Sequence, residues 1–276
     1  MLFTDFVLNK EIMHQADLSH LTVVAIQAAF KAGEIIKRGF GTSYNVTAKP
    51  GRQNFVTEFD RKSEECIYSM IKQHFPLHGF LGEETGLREH HPQTILWIVD
   101  PLDGTSNFSR HIPLFSVSIA ASYLGETLCG IVYQPLTHEL FIAEKNKGAY
   151  LNGEKLSVSF TRHLEEALIG IGFPYEIYEP PTFSLEKLGV LVKEGVTLRN
   201  LGSAALSLAY VAAGKLDAFW MNHLYPWDWA AGKLLVQESG GAFTTYAGKK
   251  EALEQPASIL ASNGLLHSLL LTQLSL

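Results

Sequence analysis

Apolar residues recur at helical spacing from Leu18 to Phe40, with Leu21, Val24, Ala25, Ala28, Ala32, Ile35 and Ile36 on one side, until Gly39 and Gly41 end the pattern. The spacing predicts a helix. A second predicted helix runs from about Asp60 to Phe75, with Ile67, Met70 and Ile71 on its inner face and Pro76 beyond its end. The turn-rich stretch "AKPGRQNFVTEFD" joins the two. After the short apolar runs of "GFLGEE" and "TILWIVDPLDG", the period changes between Ser116 and Ser159. Short alternating runs are broken there by Gly125, "QPLTHE", "KNKG" and Asn152-Gly153, which predicts an antiparallel meander. Beyond it strands and helices alternate: a strand "ALIGIGF", a helix near Phe183 to Lys193, a helix at Ser203 to Ala213, a strand "KLDAFWM" and a helix after Pro226. "GLLHSLLLTQLSL" reads as a docked terminal helix. No repeat or low-complexity segment interrupts the chain. The change near residue 160 divides it into an N-terminal lobe, 1–160, of helices on an antiparallel sheet and a C-terminal lobe, 161–276, of alternating strands and helices. No Pro/Ser-rich linker lies at the change, so the lobes are expected to pack firmly.

Composition narrows the function classes. At 46% hydrophobic and 18% charged, the 276 residues describe a compact protein with a sizeable core. The formal charge of -6 argues against a broad electrostatic grip on nucleic acid or anionic lipid, so a small anionic substrate needs local help. Cys66 and Cys129 lie far apart in periodic apolar segments and read as core thiols of a reducing compartment, not a disulfide. The N-terminal "MLFTDFVLNKEIMHQ" lacks the basic flank and long apolar centre of a secretory signal, and no run reaches the roughly 18 apolar residues of a membrane span. A cytoplasmic location is the expectation.

The candidate chemistry begins at "WIVDPLDGTSNF", where an apolar run ends on Asp100 and Asp103. A turn with an Asx cap explains such acids in the ordinary way. Other acids stand in similar places, however. Glu83 and Glu84 follow "GFLG", Asp60 closes "NFVTEFD" and opens the second helix, and Asp228 opens a helix in "YPWDWAAG". Each has its own ordinary reading, as an N-cap or a solvated turn acid. If they converge, two like charges about 4 Å apart repel by roughly 4 kcal/mol at an effective dielectric of 20, so the group needs cations or protons. Carboxylates without Cys or His suit Mg²⁺ or Mn²⁺ rather than zinc, and the spacing does not fit an EF-hand. Two neighbouring Mg²⁺ ions usually serve phosphoryl transfer to water. His90 and His91 lie in a polar stretch that reads as an exposed loop.

"GEE" (Gly82 to Glu84), "WIVDPLDGTSNF" and "PWDWAAG" (Pro226 to Gly232) resemble, in chain order, the three signatures of the inositol monophosphatase family. "NFVTEFD" and "GSAAL" (Gly202 to Leu206) support the likeness, which runs from the first helix to the end, and "GSAALSLAYVAAGKLDAF" looks like the bacterial members. The resemblance implies a mixed α and β fold, the layered α-β-α-β-α sandwich of the inositol monophosphatase and fructose-1,6-bisphosphatase type. It implies a phosphoric monoester hydrolase with two Mg²⁺ ions, Mn²⁺ substituting. Glu83, Asp100 and the carbonyl of Leu102 would bind the first ion, Asp100, Asp103 and Asp228 the second, and Glu83 would also reach a third, weaker one. Thr105, hydrogen-bonded to Asp60, would orient and help deprotonate the attacking water, so Glu83, Asp60 and Thr105 are the catalytic candidates. The N–H groups of Gly104 and Thr105 would receive the phosphate at a helix start, with Arg199, Gly202, Ser203 and Asp228 towards the substrate. Lithium inhibition and a homodimer belong to the same resemblance. One departure concerns the substrate: animal members carry a glutamate seven residues before the last metal-binding aspartate, in contact with an inositol hydroxyl, and here that position is Met221.

The weaker motifs leave alternatives open. "GIGF" at Gly170 lacks the third glycine of a dinucleotide fingerprint and reads as a packed strand end. Trp97, Trp227 and Trp229 flank the acids and are expected to pack the walls of the site. Lys49 sits where the family has a residue near the metals, or is a solvated loop lysine; Arg199 orients a substrate-facing loop, or bridges the lobes. Inositol monophosphate leads the expected substrates, followed by fructose 1,6-bisphosphate, 3′-phosphoadenosine 5′-phosphate and histidinol phosphate, the phosphates of a small polyol, sugar or nucleotide. A regulatory protein acting through a transcription or RNA partner is the alternative of another class, with no direct nucleic-acid binding expected. A two-metal nuclease is disfavoured, because the chain has no aromatic and basic track for a polymer.

Overall fold

The computed structural model describes residues 19–44, 46–48, 55–173, 182–249 and 256–275. Lys49 and the N-terminal "MLFTDFVLNKEIMHQ" lie outside them. Helix α1 (His20–Gly39) starts where the Ser19 hydroxyl accepts the Thr22 N–H, and Lys37 and Arg38 suit the negative end of its dipole. A short hairpin, β1 (Val46–Ala48) and β2 (Phe55–Thr57), leads into α2 (Glu58–His74). Asp60 is the third residue of α2, not its cap. Thr57 is the cap, and the Asp60 carboxylate reaches back to accept its N–H.

The first sheet contains β3 (Gly79–Gly82), β4 (Gly86–Arg88), β5 (Leu96–Asp103), β6 (Ser116–Tyr123), β7 (Glu126–Gln134), β8 (Glu139–Glu144), β9 (Gly148–Leu151) and β10 (Glu154–Lys155), in the order β10-β9-β8-β7-β6-β5-β3-β4. The meander is present as β6 to β10, while β3 runs parallel to β5. A one-turn helix, α3 (Thr105–Ser109), follows β5. The second sheet contains β11 (Leu168–Gly172), β12 (Thr197–Arg199), β13 (Ala218–Leu224), β14 (Ala242–Thr245) and β15 (Ala257–Ser262), ordered β12-β11-β13-β15-β14. Its helices are α4 (Thr182–Lys193), α5 (Ala204–Ala212), α6 (Pro226–Glu238) and the terminal α7 (His267–Ser275).

Three apolar clusters order these elements into layers. Val24 and Ile36 of α1 and Ile67 of α2 meet Trp97, Val99, Ile119 and Ile131 on one face of the first sheet. On its other face Ile98, Val132 and Phe141 meet Leu208 of α5 and Leu235 of α6, which also cover Phe219 and Ile259 of the second sheet. Leu191 of α4 and Leu270 and Leu274 of α7 close the far face over Ile169, Trp220 and Leu260. The result is a five-layer α-β-α-β-α sandwich.

Coverage on both sides alters the expected alternation. β6 is buried from Ser116 to Ser122 without a solvent face, and its alternate residues feed two different cores. Cys129 is buried as expected, but Cys66 is only half-buried, and both thiols are free. No helix among the described residues is long and apolar enough to cross a membrane.

Candidate metal centre and active site

Residues three apart point to opposite faces of a regular strand. Asp100 and Asp103 escape that rule through a bulge. Asp100 pairs with Ser118 and Asp103 with Ser116, so three steps along β5 match two along β6. The parity flips at Leu102, which joins the core beneath α1 and α2, while both aspartates turn towards the layer of α5 and α6. Asp228 approaches from that layer as the third residue of α6, its Oδ2 accepting the Tyr225 N–H at 2.7 Å. Carboxylate oxygens of Asp100, Asp103 and Asp228 come within 4.8 Å of one another.

Glu83 joins from the neighbouring strand. β3 pairs in parallel with β5 through Gly82 and Val99, and the Glu83 N–H donates to the Val99 carbonyl, placing the residue beside Asp100. Burial, then the charges of Glu83, Asp103 and Asp228, push the Asp100 carboxyl well above the usual range. Asp103 accepts from the Ser203 hydroxyl and the amides of Ala204 and Ala205 at the start of α5. Burial nevertheless outweighs those donors and lifts it to about 6. Asp60 is lifted to about 6 as well, chiefly by burial, against the hydrogen bonds from Thr57 that favour its ionised form. Its Oδ2 accepts the Thr57 N–H and hydroxyl, and its Oδ1 faces the Thr105 hydroxyl at 2.9 Å. That hydroxyl also lies 3.0 Å from the Leu102 carbonyl.

The turn between β5 and α3 holds Gly104 at φ 96, and a β-carbon there would lie 2.9 Å from the Leu114 carbonyl and 3.2 Å from that of Gly202. Only glycine satisfies both the conformation and the close approach. α3 is a single turn, too short for the helix dipole expected at a phosphate site, so any help to an anion comes from its first N–H groups. Asn107 Nδ2 bridges the carbonyls of Leu114 and Leu201, and the Ser118 hydroxyl donates to the Trp227 carbonyl. With Ser203 on Asp103, these bonds tie the first sheet to α6 and to the segment that leads into α5, around the acids. Arg199 lies exposed on the edge strand β12, with its guanidinium on the neighbouring Leu198 carbonyl.

The tryptophans differ from expectation. Trp97 is buried on the opposite face of β5 from Asp100, against Phe75 and His78, because a strand's faces alternate. Trp229 is core between the sheets, beside Phe243. Only Trp227, half-buried and stacked on Tyr225, stands next to Asp228.

The donor set decides what the cluster can hold. Two buried carboxylates and the half-buried Asp228, which repel one another and have no Cys or His among them, form an all-oxygen cradle that fits a hard divalent cation. Residues 17–275 match the model of the inositol monophosphatase family. The chain belongs to this family. Its members include a Caulobacter vibrioides protein named inositol-1-monophosphatase, 43% identical over 252 residues that cover 90% of this chain and 98% of the relative. The Nus factor SuhB of Escherichia coli K12 is 42% identical over 226 residues, 82% of this chain and 85% of its own. The crystal structure of extragenic suppressor protein suhB from Bartonella henselae aligns at a TM-score of 0.87 with 38% identity, over 93% of this chain and 98% of that one. IMPase-II of Staphylococcus aureus, 29% identical, has been solved with inositol monophosphate at a TM-score of 0.79 and with 2′-AMP at 0.80, covering 92% of this chain in each case and 93% and 94% of those chains. Membership of the inositol monophosphatase family makes this chain a phosphoric monoester hydrolase.

Proposed function

We propose that the protein hydrolyses a small phosphate monoester, inositol monophosphate first, with two Mg²⁺ ions held by Glu83, Asp100, the Leu102 carbonyl, Asp103 and Asp228, and Glu83 reaching a third. The convergence of Asp100, Asp103 and Asp228 from separate layers carries this reading. Bound Mg²⁺ supplies a Lewis acid that neutralises phosphate charge, acidifies water and steadies the departing alkoxide.

The chain's own residues do the rest. Thr105 has one proton and two acceptors within reach, the Asp60 carboxylate and the Leu102 carbonyl, and were that carbonyl to hold an ion, Asp60 would be the acceptor left for the proton. The threonine lone pairs then accept from the attacking water, and Asp60, whose Oδ1 faces that hydroxyl, receives the proton that Thr105 passes on. The N–H groups of Gly104 and Thr105 receive the phosphate. Ser203, whose hydroxyl donates to Asp103, orients that carboxylate.

Met221 bears on the choice of substrate. It is half-buried on β13, its sulfur packed where a β-carbon on Gly172 would overlap it. A thioether offers an inositol hydroxyl no charged acceptor. The S. aureus relatives with inositol monophosphate and 2′-AMP support testing both classes. The experiment is phosphate release from inositol phosphates, fructose 1,6-bisphosphate, nucleotides and histidinol phosphate, with and without Mg²⁺. The expected result is Mg²⁺-dependent release from at least one of them, and a flat panel overturns the reading.

The name of the E. coli relative favours a second reading, action through a transcription partner. Asp100→Asn separates the two: cellular function that survives the loss of phosphate release belongs to the partner. Lithium inhibition, a homodimer and a cytoplasmic location go with the first reading.

A further inference from the structure

We infer that Glu64 is a positioning residue for Glu83, an inference that rests on the metal-site reading above. Glu64 lies one helical turn after Asp60, so the two acids stand on the same face of α2 as Ile67 and Ile71. That face is turned to the first sheet, and Glu64 is only 1% exposed. Its Oε2 accepts the Glu84 N–H at 2.8 Å. The same oxygen fills the space where a β-carbon on Gly82 would sit. A single carboxylate thus fixes the backbone on both sides of Glu83, while the Glu83 N–H is held by Val99 from the third direction.

A buried acid is an expensive way to hold one amide, because its other oxygen, Oε1, is buried with no hydrogen-bond partner among the described residues. An apolar residue of similar size would fill the same space without that penalty, so packing alone does not explain a carboxylate here. A charged acceptor gives a shorter and stronger bond to an N–H than a neutral one. Glu83 lies in a turn after a four-residue strand. Partners of this kind, outside the cation's own ligands, typically alter metal affinity by about 10–100-fold when removed.

The test compares Glu64→Leu, which removes the acceptor, with Glu64→Gln, which keeps an oxygen for the Glu84 amide. Mn²⁺ binding is measured by calorimetry and by the electron-resonance signal of the free ion, on full-length protein shown to be folded by near-ultraviolet dichroism. Glu64→Leu is expected to weaken Mn²⁺ binding about tenfold or more and to raise the metal concentration for half-maximal phosphate release, with kcat at saturating metal nearly kept. Glu64→Gln, with a neutral oxygen left for the Glu84 amide, is expected to lose less than Glu64→Leu. Wild-type affinity in Glu64→Leu overturns the inference alone, as does a Gln variant as weak as the Leu variant. A wild type that takes up no Mn²⁺ overturns the metal reading and this inference together.

Discussion

Burial and like charges disfavour the ionised form of these acids, so that Asp60 and Asp103 are lifted to about 6 and Asp100 is pushed well above the usual range. An unfolded aspartate releases its proton near about 3.9. Between those values the folded state binds more protons than the unfolded one, so stability is fully present below about 4 and falls as pH rises through 6. Protein stripped with EDTA is therefore expected to lose melting temperature between about pH 4 and 7. Saturating Mg²⁺ should remove the loss, since a cation that binds only the folded state replaces the protons. Asp100→Asn should melt higher than the wild type in EDTA at pH 7 and release no phosphate. A melting temperature in EDTA that rises from pH 5 to 7 would show that the acids do not repel in the fold. These acids could be read from the chain because each ends an apolar run or opens a helix. Glu64, Asn107 and Ser118 could not: their partners are main-chain atoms 20, 94 and 109 positions away, and no local pattern marks such bonds.

Elements place those residues through local irregularity more than through regular geometry. The bulge in β5 brings Asp100 and Asp103 to one face, and a matching shift in β13 between Met221 and Leu224 holds His223 at φ 57 ahead of Asp228. Periodicity along a sequence reports regular helices and strands, so α1, α2, the meander and α6 were legible, whereas a bulge looks like a missed beat. The strands β1, β2, β4 and β12 have only three residues each, too few for a period to show. The meander was legible in its turns but not in its exposure, because helices cover the face that a two-layer protein would leave to water. Gly104 is where the irregularity is most constrained. Gly104→Ala is expected to cost about 1–2 kcal/mol for its left-handed backbone, and more because its new β-carbon meets the Leu114 and Gly202 carbonyls. A thermal melt should show the loss, and phosphate release should fall further than the melt explains as Thr105 shifts. An alanine variant with the wild-type melt and rate would show that the turn does not set the site.

At the scale of the whole molecule, the central layer decides how the halves behave. α5 and α6 come from the second half of the chain, yet they cover the first sheet as well as the second. We propose that the lobes 1–160 and 161–276 are units of architecture and not of folding. A fragment of residues 1–160 exposes Ile98, Val132 and Phe141 along with the rest of that face, well beyond the apolar patch a soluble monomer tolerates. It also lacks the donors of Ser203, Ala204 and Ala205, so the Asp103 carboxylate loses the bonds that fix its position. The intact chain is expected to unfold in one step, with tryptophan fluorescence and far-ultraviolet dichroism changing together. The fragment should bind a hydrophobic dye and show no cooperative melt. A sharp, dye-free melt of 1–160 would mean that the first sheet and its two outer helices stabilise themselves. Asp228 would then be brought to a finished lobe, and the metal centre would form by docking instead of by folding.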